Sequence, residues 1–236
     1  MSYYIGLSIL SNGERVHKKF LSAEARRILS CLDDGGREIA TDGRGRPFFP
    51  GGEVDFNIAH SVSLAAVSLV RGTSLRTGCD VELIRPRTRI REITEIYFSA
   101  AERDYIFSKS EFSDKRFYEI WTLKECYLKL RGLSVFDMSR CPSFVSDEGH
   151  LSFGAAVSSP LSFRLFELTG TGGKPAAGRT LASEGYPQVR YILASAIEGE
   201  QREPEIQWFS QLSLACKMTA EINAAPSPAE TVRPKI

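Results

Sequence analysis

Two carboxylates only two residues apart, Asp80 and Glu82, are the side chains in this 236-residue sequence with the clearest chemical potential. They follow Gly78 in an apolar run, which predicts a strand in which both acids point to the same face. Like charges at that spacing raise each other's pKa unless a cation lies near them. Carboxylate oxygens suit Mg²⁺, which keeps other positions for water and phosphate. The pair is therefore a candidate magnesium site, although solvated edge strands also alternate acids.

A third carboxylate lies on the longest predicted helix, residues 113–131. Glu125 and Lys129 are four residues apart, so they lie one above the other on a single face of that helix. Most pairs of this kind are exposed salt bridges, but Glu125 borders an apolar face, so a ligand role is also open. His60 leaves two interpretations open as well, a hydrogen-bonded structural histidine or a group that binds a ligand.

The elements that must position these residues predict an α+β protein with two lobes that meet near residue 75. Residues 1–75 form the predicted N-terminal lobe, residues 76–223 a C-terminal lobe with the carboxylates, and residues 224–236 a proline-rich disordered tail. Helices are predicted at 22–32, 89–98, 99–107 and 113–131. Strands are predicted at 3–10, 54–61, 64–70, around Gly78, and at 141–146, 151–153, 161–168, 189–197 and 206–209, with a loop at 169–187.

Composition excludes several classes of protein. The chain is 42% hydrophobic and 25% charged, as in ordinary globular proteins, and its net charge of +1 gives no general affinity for nucleic acid. Five scattered cysteines without a C-x-x-C pair favour a reduced intracellular protein. No run of 18 apolar residues and no signal-peptide pattern is present, so we expect a cytoplasmic protein without a membrane span.

Two basic motifs have competing interpretations. Residues 173–180 resemble a phosphate-binding loop, but Arg179 stands in place of the lysine and a poor helix sequence follows, so we do not predict a nucleotide site there. Alternating arginines next to the acidic strand suit an acidic helix of a partner protein better than nucleic acid, and an ordinary solvated helix start is the alternative. These are Arg85, Arg87, Arg89 and Arg91.

Four motifs stand in a recognisable order along residues 40–135. They are Gly45-Arg46-Pro47, Phe56-Asn57-Ile58-Ala59-His60-Ser61, Gly78-Cys79-Asp80-Val81-Glu82 and Trp121-Thr122-Leu123-Lys124-Glu125-Cys126-Tyr127-Leu128-Lys129. Together they resemble the 4′-phosphopantetheinyl transferases of the Sfp type, and four ordered motifs are far more specific than any one alone.

The resemblance implies a fold and an activity. The fold would be two similar lobes in one chain, a pseudo-dimer with the active site between the lobes. The activity would be Mg²⁺-dependent transfer of the 4′-phosphopantetheine arm of coenzyme A to a serine of an acyl or peptidyl carrier protein. Adenosine 3′,5′-bisphosphate would be released, and the carrier would belong to fatty-acid, polyketide or nonribosomal-peptide biosynthesis.

The resemblance also implies roles for individual residues. Asp80, Glu82 and Glu125 would bind Mg²⁺, while His60 and Lys129 would hold the pyrophosphate. Arg46 and Asn57 would belong to the coenzyme A site, with Arg46 near the nucleotide 3′-phosphate. Glu125 would accept the proton of the carrier serine, either directly or through a metal-bound water, and the sequence leaves both routes open.

The N-terminal region departs from the pattern. Ala59 stands where the family often has Ser or Thr, and the basic residues that the family supplies before the first motif have no secure match. Possible substitutes are Lys18, Lys19, Arg26 and Arg27.

Two other activities fit the same residues. A Mg²⁺-dependent nucleotide phosphohydrolase would use the carboxylates on water, and a degenerate module would bind coenzyme A or a carrier without catalysis. The complete set of acids with Lys129 argues against degeneracy, whereas Ala59 and the short first lobe argue slightly for it.

The resemblance generates a prediction of oligomeric state. Because one chain of this length would contain both lobes, no second copy is needed to close the site, and the protein should be an active monomer. Sedimentation together with activity at serial dilutions checks this; a dimer whose activity disappears on dilution would contradict it.

Overall fold

The computed structural model describes residues 2–11, 14–33, 36–171, 188–209 and 215–224. They form an α+β structure with two four-stranded sheets, as the sequence predicts for the fold class. The strands are β1 (Ser2–Ile9), β2 (Ala40–Thr41), β3 (Pro47–Phe48), β4 (Val54–Ser61), β5 (Leu64–Arg71), β6 (Arg76–Leu83), β7 (Leu161–Thr171), β8 (Gln188–Glu198), β9 (Glu205–Trp208) and β10 (Ala215–Ala224). The helices are α1 (Lys18–Leu32), α2 (Ile90–Tyr97), α3 (Ala100–Phe107) and α4 (Ser113–Arg131).

The first sheet has the strand order β4–β5–β1–β9, and its side chains alternate between two buried faces. In β1, Ile5 and Leu7 point towards the second sheet, whereas Gly6 between them meets α1. A Cβ atom at Gly6 would lie 2.3 Å from Cγ2 of Ile28, so this glycine lets α1 pack directly on the strand. The strand β9 comes from the predicted C-terminal lobe, yet it pairs in parallel with β1.

The second sheet has the strand order β10–β7–β8–β6 and packs against the first sheet on one face and against α2–α4 on the other. Strand β8 illustrates the alternation, since Leu193 points to the first sheet while Ile192 and Ala194 join the helical side. The protein is therefore layered as helix, sheet, sheet and helices.

The helices follow local signals in the sequence. The predicted capping box of Ser99 and Glu102 opens α3, and Gly132 with φ 64° ends α4 in the left-handed conformation that glycine favours. Helix α1 starts one turn before the predicted cap at Ser22, because the ring of His17 accepts a hydrogen bond from the backbone N–H of Lys19.

Two predicted strands, at 141–146 and 151–153, are wrong. A 3₁₀ segment, Val135–Arg140, precedes this region, which contains an isolated bridge between Val145 and Leu151 and a few backbone hydrogen bonds around it, but no continuous strand. The hydroxyl of Ser143 bonds both the N–H and the C=O of Val145, and such local bonds compete with a strand ladder.

The last strands also differ from the prediction. Strand β7 continues to Thr171, into the predicted loop, and the rest of that loop (172–187, with the whole of the glycine motif at 173–180) lies outside the described residues. Strand β10 was not predicted because its exposed, polar edge residues lack an apolar alternation. Its last residue, Ala224, is buried, and residues 225–236 of the predicted tail lie outside the described residues.

One glycine sets the distance between α4 and the second sheet. A Cβ atom at Gly78 would lie 2.6 Å from the carbonyl oxygen of Cys126 and 3.0 Å from Cβ of Leu130. Both of these atoms are close to the helix axis, so neither can turn away as the end of a side chain could. Strand β6 and α4 are consequently in backbone contact.

We predict that Gly78→Ala destabilises the protein by about 1–3 kcal/mol, because the added methyl group must push α4 away from β6. Gly43→Ala is the matched control, since no atom lies within 4 Å of the Cβ position at Gly43. Urea unfolding of both variants measures the difference; equal stability of Gly78→Ala and wild type would mean that the helix is not held by this contact.

Candidate active site

Alternation along β6 places Asp80 and Glu82 on the side that faces α4, as predicted. Their neighbours Cys79 and Val81 are fully buried in the core between the two sheets. Helix α4 lies across this side of the strand and presents Glu125 to it. The structure therefore brings together three carboxylates that the sequence holds in two separate motifs.

Lys129 joins the carboxylates and does not form the surface pair with Glu125 that was the alternative prediction. Its Nζ atom donates to Oδ1 of Asp80 at 2.6 Å, and the Lys129 side chain is 28% exposed. Burial by itself would lower the pKa of Lys129, but the Asp80 carboxylate raises that pKa above its usual range. Lys129 is thus a permanent cation at this site.

One lysine does not neutralise three acids. Burial, together with the negative charge on Asp80, raises the pKa of Glu82 and of Glu125 from the ordinary value of 4.5 to about 7 each. Burial also raises the pKa of Asp80, with Lys129 acting against it. The cluster therefore has an excess of negative charge when all its carboxylates are ionised.

The donor set fits a hard divalent cation in chemistry and charge. The Oδ2 atom of Asp80 is buried without a hydrogen-bond partner, which leaves a carboxylate oxygen available to a ligand. Among the described residues, however, no group of three His, Cys, Asp or Glu side chains is already arranged around a common metal position. Holding a metal with all three acids would therefore require the acids to move closer together.

Two residues of β4 approach the acids from the first sheet. The hydroxyl of Ser61 donates to Oε2 of Glu82 at 2.8 Å. His60 is half-buried, and burial lowers its pKa, with Lys18 and Lys129 lowering it further. At neutral pH the imidazole is therefore uncharged and keeps one N–H that can donate to an anion.

A cleft of about 620 Å³ extends from His60 and Lys129 across the first sheet. Five cationic side chains line it, and no carboxylate does among its described lining residues. The cations are Lys18, Arg26, Arg44, Arg46 and Lys129, and Asn57 contributes an amide. A site of this kind attracts an elongated ligand with several negative charges.

Arg46 is less available than the sequence suggests. Its Nη2 atom contacts both oxygens of Asp55, at 2.9 and 2.8 Å, and its side chain is only 9% exposed. Its Nε atom is buried without a partner. Arg46 therefore lines the cleft as one half of an ion pair.

The sequence did not predict Arg44 as a site residue, and it left the contribution of α1 open. Lys18 and Arg26 line the cleft, together with Ser22 between them, which is the spacing of one helical face. Of the other two proposed substitutes, Arg27 pairs with Glu24 and Lys19 lies over the ring of Phe20. The i, i+4, i+8 spacing was the signal that could have selected Lys18 and Arg26.

Two of the four arginines in the segment after β6 stack on aromatic rings. The guanidinium of Arg87 lies 5.1 Å from the ring centroid of Phe117 and 5.3 Å from that of Trp121. Arg91 stacks similarly on Phe107, at 4.5 Å. Arg85 and Arg89 are exposed at the surface beside the acidic strand.

Comparison with known proteins identifies the family of the chain. Residues 76–181, which contain all three acids and Lys129, match the 4′-phosphopantetheinyl transferase superfamily. The chain is 32% identical to the 4′-phosphopantetheinyl transferase AcpT of Salmonella typhi over 140 residues, 56% of this chain and 72% of the relative. It is 33% identical to AcpT of Escherichia coli K12 over 48% of this chain and 58% of the relative. The 4′-phosphopantetheinyl transferase pptA of Paxillus involutus is 28% identical over 58% of this chain and 59% of the relative.

The chain belongs to the 4′-phosphopantetheinyl transferase superfamily and is an enzyme of this transferase class. Within the part of the chain that the structure describes, no helix is long and apolar enough to cross a membrane.

The charge excess at the site predicts a pH effect on the metal-free protein. The unfolded chain releases the Glu125 proton near pH 4.5, whereas the folded chain holds it until its pKa of about 7. Stability is therefore lost as the pH rises through this window. Since glutamine cannot ionise, Glu125→Gln should gain on the order of 1–3 kcal/mol relative to wild type above neutral pH and much less near pH 5.

Melting temperatures in EDTA from about pH 5 to about pH 8 measure this gain. Glu111→Gln, at an exposed acid just before α4, is the control and should show no pH-dependent gain. If the melting temperatures of wild type and Glu125→Gln differ by the same amount at every pH, the predicted pH effect of the excess negative charge is wrong.

Proposed function

We propose that this enzyme transfers the 4′-phosphopantetheine arm of coenzyme A to a serine of an acyl or peptidyl carrier protein, with Mg²⁺, and releases adenosine 3′,5′-bisphosphate. The observation that supports it best is a cationic cleft whose inner end includes Lys129, which is bonded to Asp80 on the acid-bearing strand. Coenzyme A is an elongated polyanion whose pyrophosphate is the point of bond cleavage. A ligand of that charge distribution fits a site with cations along its length and acids at its end.

The cleft residues would bind and orient the nucleotide half. Lys18, Arg26 and Arg44 supply charge for the 3′-phosphate and the adenosine end, with Arg46 fixed beside them by Asp55. Asn57 would contact the cofactor at the inner wall of the cleft. Several separate cations suit a ligand whose phosphates are separated along its length.

Residues at the inner end would act on the pyrophosphate. Lys129 would place a positive charge on the phosphate oxygens, and neutral His60 would donate a hydrogen bond to them. Asp80, Glu82 and Glu125 would hold Mg²⁺, which would neutralise charge on the pyrophosphate as the bond to the leaving group breaks. Because Lys129 is paired with Asp80 in the unliganded site, phosphate binding would draw the Lys129 ammonium group away from Asp80 and towards the phosphate oxygens.

Glu125 is the proposed base for the carrier serine. Its pKa of about 7 in the metal-free site is close to the range in which a carboxylate accepts a proton effectively at neutral pH. It stands on α4 at the edge of the cluster, half-buried, where an incoming hydroxyl can reach it. The exposed Arg85 and Arg89, with Arg87 and Arg91, would contact an acidic face of the carrier.

The finer architecture belongs to the same proposal. Each sheet has a strand glycine in close contact with a helix, Gly6 under α1 and Gly78 under α4. This parallel supports two similar lobes within one chain, and hence a monomer; the scattered cysteines support a reducing compartment such as the cytoplasm.

Intact-mass analysis of an apo-carrier protein after incubation with coenzyme A and Mg²⁺ tests the proposal. Transfer gives a phosphopantetheine-sized gain on the carrier. Degradation of coenzyme A without that gain would indicate a phosphohydrolase, and binding without turnover would indicate a non-catalytic module; either outcome rejects the transfer.

Lys129→Ala should reduce kcat/KM for the apo-carrier by the equivalent of about 2–4 kcal/mol of transition-state stabilisation. Lys129→Arg should recover part of this because the charge remains. Arg131→Ala is the control: it removes a cation from the same helix that pairs with Glu198, away from the cleft lining, and should lower stability but leave kcat/KM near wild type. Near-wild-type turnover of Lys129→Ala would reject the assigned role.

A further inference from the structure

Strand β6, which holds Asp80 and Glu82, is the last strand of the second sheet. It forms a ladder with β8 on one side only. The N–H groups on its outer side therefore need acceptors from elsewhere, since most of the strand is buried. The nearest element on that side is β4, the edge strand of the first sheet.

Side chains on one face of β4 supply three of these acceptors. The N–H of Thr77 donates to Oδ2 of Asp55 at 2.8 Å. Two residues further along each strand, the N–H of Cys79 donates to Oδ1 of Asn57 at 3.3 Å. Ser61 closes the series, accepting the N–H of Leu83 on its Oγ atom at 3.2 Å. We call these three bonds the seam.

The seam is anchored at both of its ends. At one end Arg46 pairs with Asp55 and also donates from Nη2 to the carbonyl oxygen of Thr77, at 3.3 Å. At the other end the Ser61 hydroxyl, which accepts from β6, donates to Glu82 at 2.8 Å. One hydroxyl thus fixes the strand and the side chain of a proposed metal ligand together.

The register of the seam has one gap. Asn57 and Ser61 are matched with Cys79 and Leu83, so the intermediate step matches Ala59 with Val81. Alanine has no side-chain oxygen, and Ala59 is 2% exposed and packs in the core between the sheets. The two flanking bonds therefore hold β6 across the step that lies between Asp80 and Glu82.

We propose that Asp55, Asn57 and Ser61 are positioning residues for the two acids of β6, Asp80 and Glu82. The side-chain oxygens of the three β4 residues accept the N–H groups that a neighbouring strand would otherwise bind. Because β4 also contains His60, the seam sets the distance between the imidazole and the acids. A slip of one sheet along the other would separate the two halves of the site. The catalytic consequence rests on the proposed function, whereas the structural role of the seam does not.

Amide hydrogen exchange of the metal-free protein, followed residue by residue by NMR, tests the seam directly. Asn57→Ala should accelerate exchange at Cys79 by about tenfold or more, because that buried N–H loses its acceptor. Ser61→Ala should do the same at Leu83, and Ser61→Thr should restore protection because the hydroxyl remains. Thr122→Val is the matched control, since it removes a buried hydroxyl without a hydrogen-bond partner and should leave both amides protected.

Kinetics give the second readout. Ser61→Ala should lower kcat by about tenfold or more while KM for coenzyme A changes less than about twofold, because Ser61 orients Glu82 and does not line the cleft. Asp55→Asn keeps an oxygen for Thr77 but loses the charge that holds Arg46, so it should raise KM more than it lowers kcat.

The possible failures are distinguishable. If wild type modifies no carrier protein but the exchange pattern appears as described, the proposed function is wrong and the seam stands. Unchanged exchange at Cys79 and Leu83 in folded Asn57→Ala and Ser61→Ala would overturn the seam, whatever the activity. A kcat for Ser61→Ala equal to that of wild type would overturn its positioning role.

Discussion

The site depends on the backbone contact between α4 and β6 at Gly78. Only a residue without Cβ allows the carbonyl of Cys126 to approach so closely, and that approach determines how far side chains must reach between helix and strand. At this separation Lys129 spans the gap to Asp80 in a 2.6 Å bond. Were the helix farther away, four charged groups would be separate surface residues rather than one electrostatic unit.

A buried ion pair on the side of α4 away from β6 determines how the helix is rotated about its axis. Lys124 is buried and its Nζ atom lies 3.1 Å from Oε2 of Glu102, while Oε1 of the same carboxylate accepts from the backbone N–H of Phe144. Removing one partner of such a buried pair would leave an uncompensated charge, so the helix has little freedom to turn. Lys124 and Lys129 thus have different partners: the first pairs with Glu102 in the core, and the second pairs with Asp80 on the side of the helix that faces β6.

The resulting site is assembled from both sheets. The second sheet and α4 provide the acids and their lysine. Strand β4 of the first sheet provides the imidazole, and α1 and the segment between β2 and β3 provide the other cations of the cleft. Excess negative charge at one end and excess positive charge along the other would destabilise the protein if each stood alone. Under the proposed function, a divalent cation and a polyanionic ligand that bind together would offset both charge excesses.

The sequence by itself determined the parts of this protein that depend on local spacing. Alternation placed Asp80 and Glu82 on one face, the Ser99 capping box and Gly132 delimited α3 and α4, and the ordered motifs indicated the family. Strand β10 escaped prediction because an exposed edge has no apolar period, and the 141–153 strands were overpredicted because side-chain bonds of Ser143 compete with pairing. Only the tertiary structure showed which distant residues meet. It pairs Lys129 with Asp80 rather than with Glu125, and Arg46 with Asp55. It also places Arg44 in the cleft and β9 beside β1. The physical reason is that periodicity depends on neighbours in the chain, whereas an ion pair or a shared cleft depends on how closely distant backbones approach.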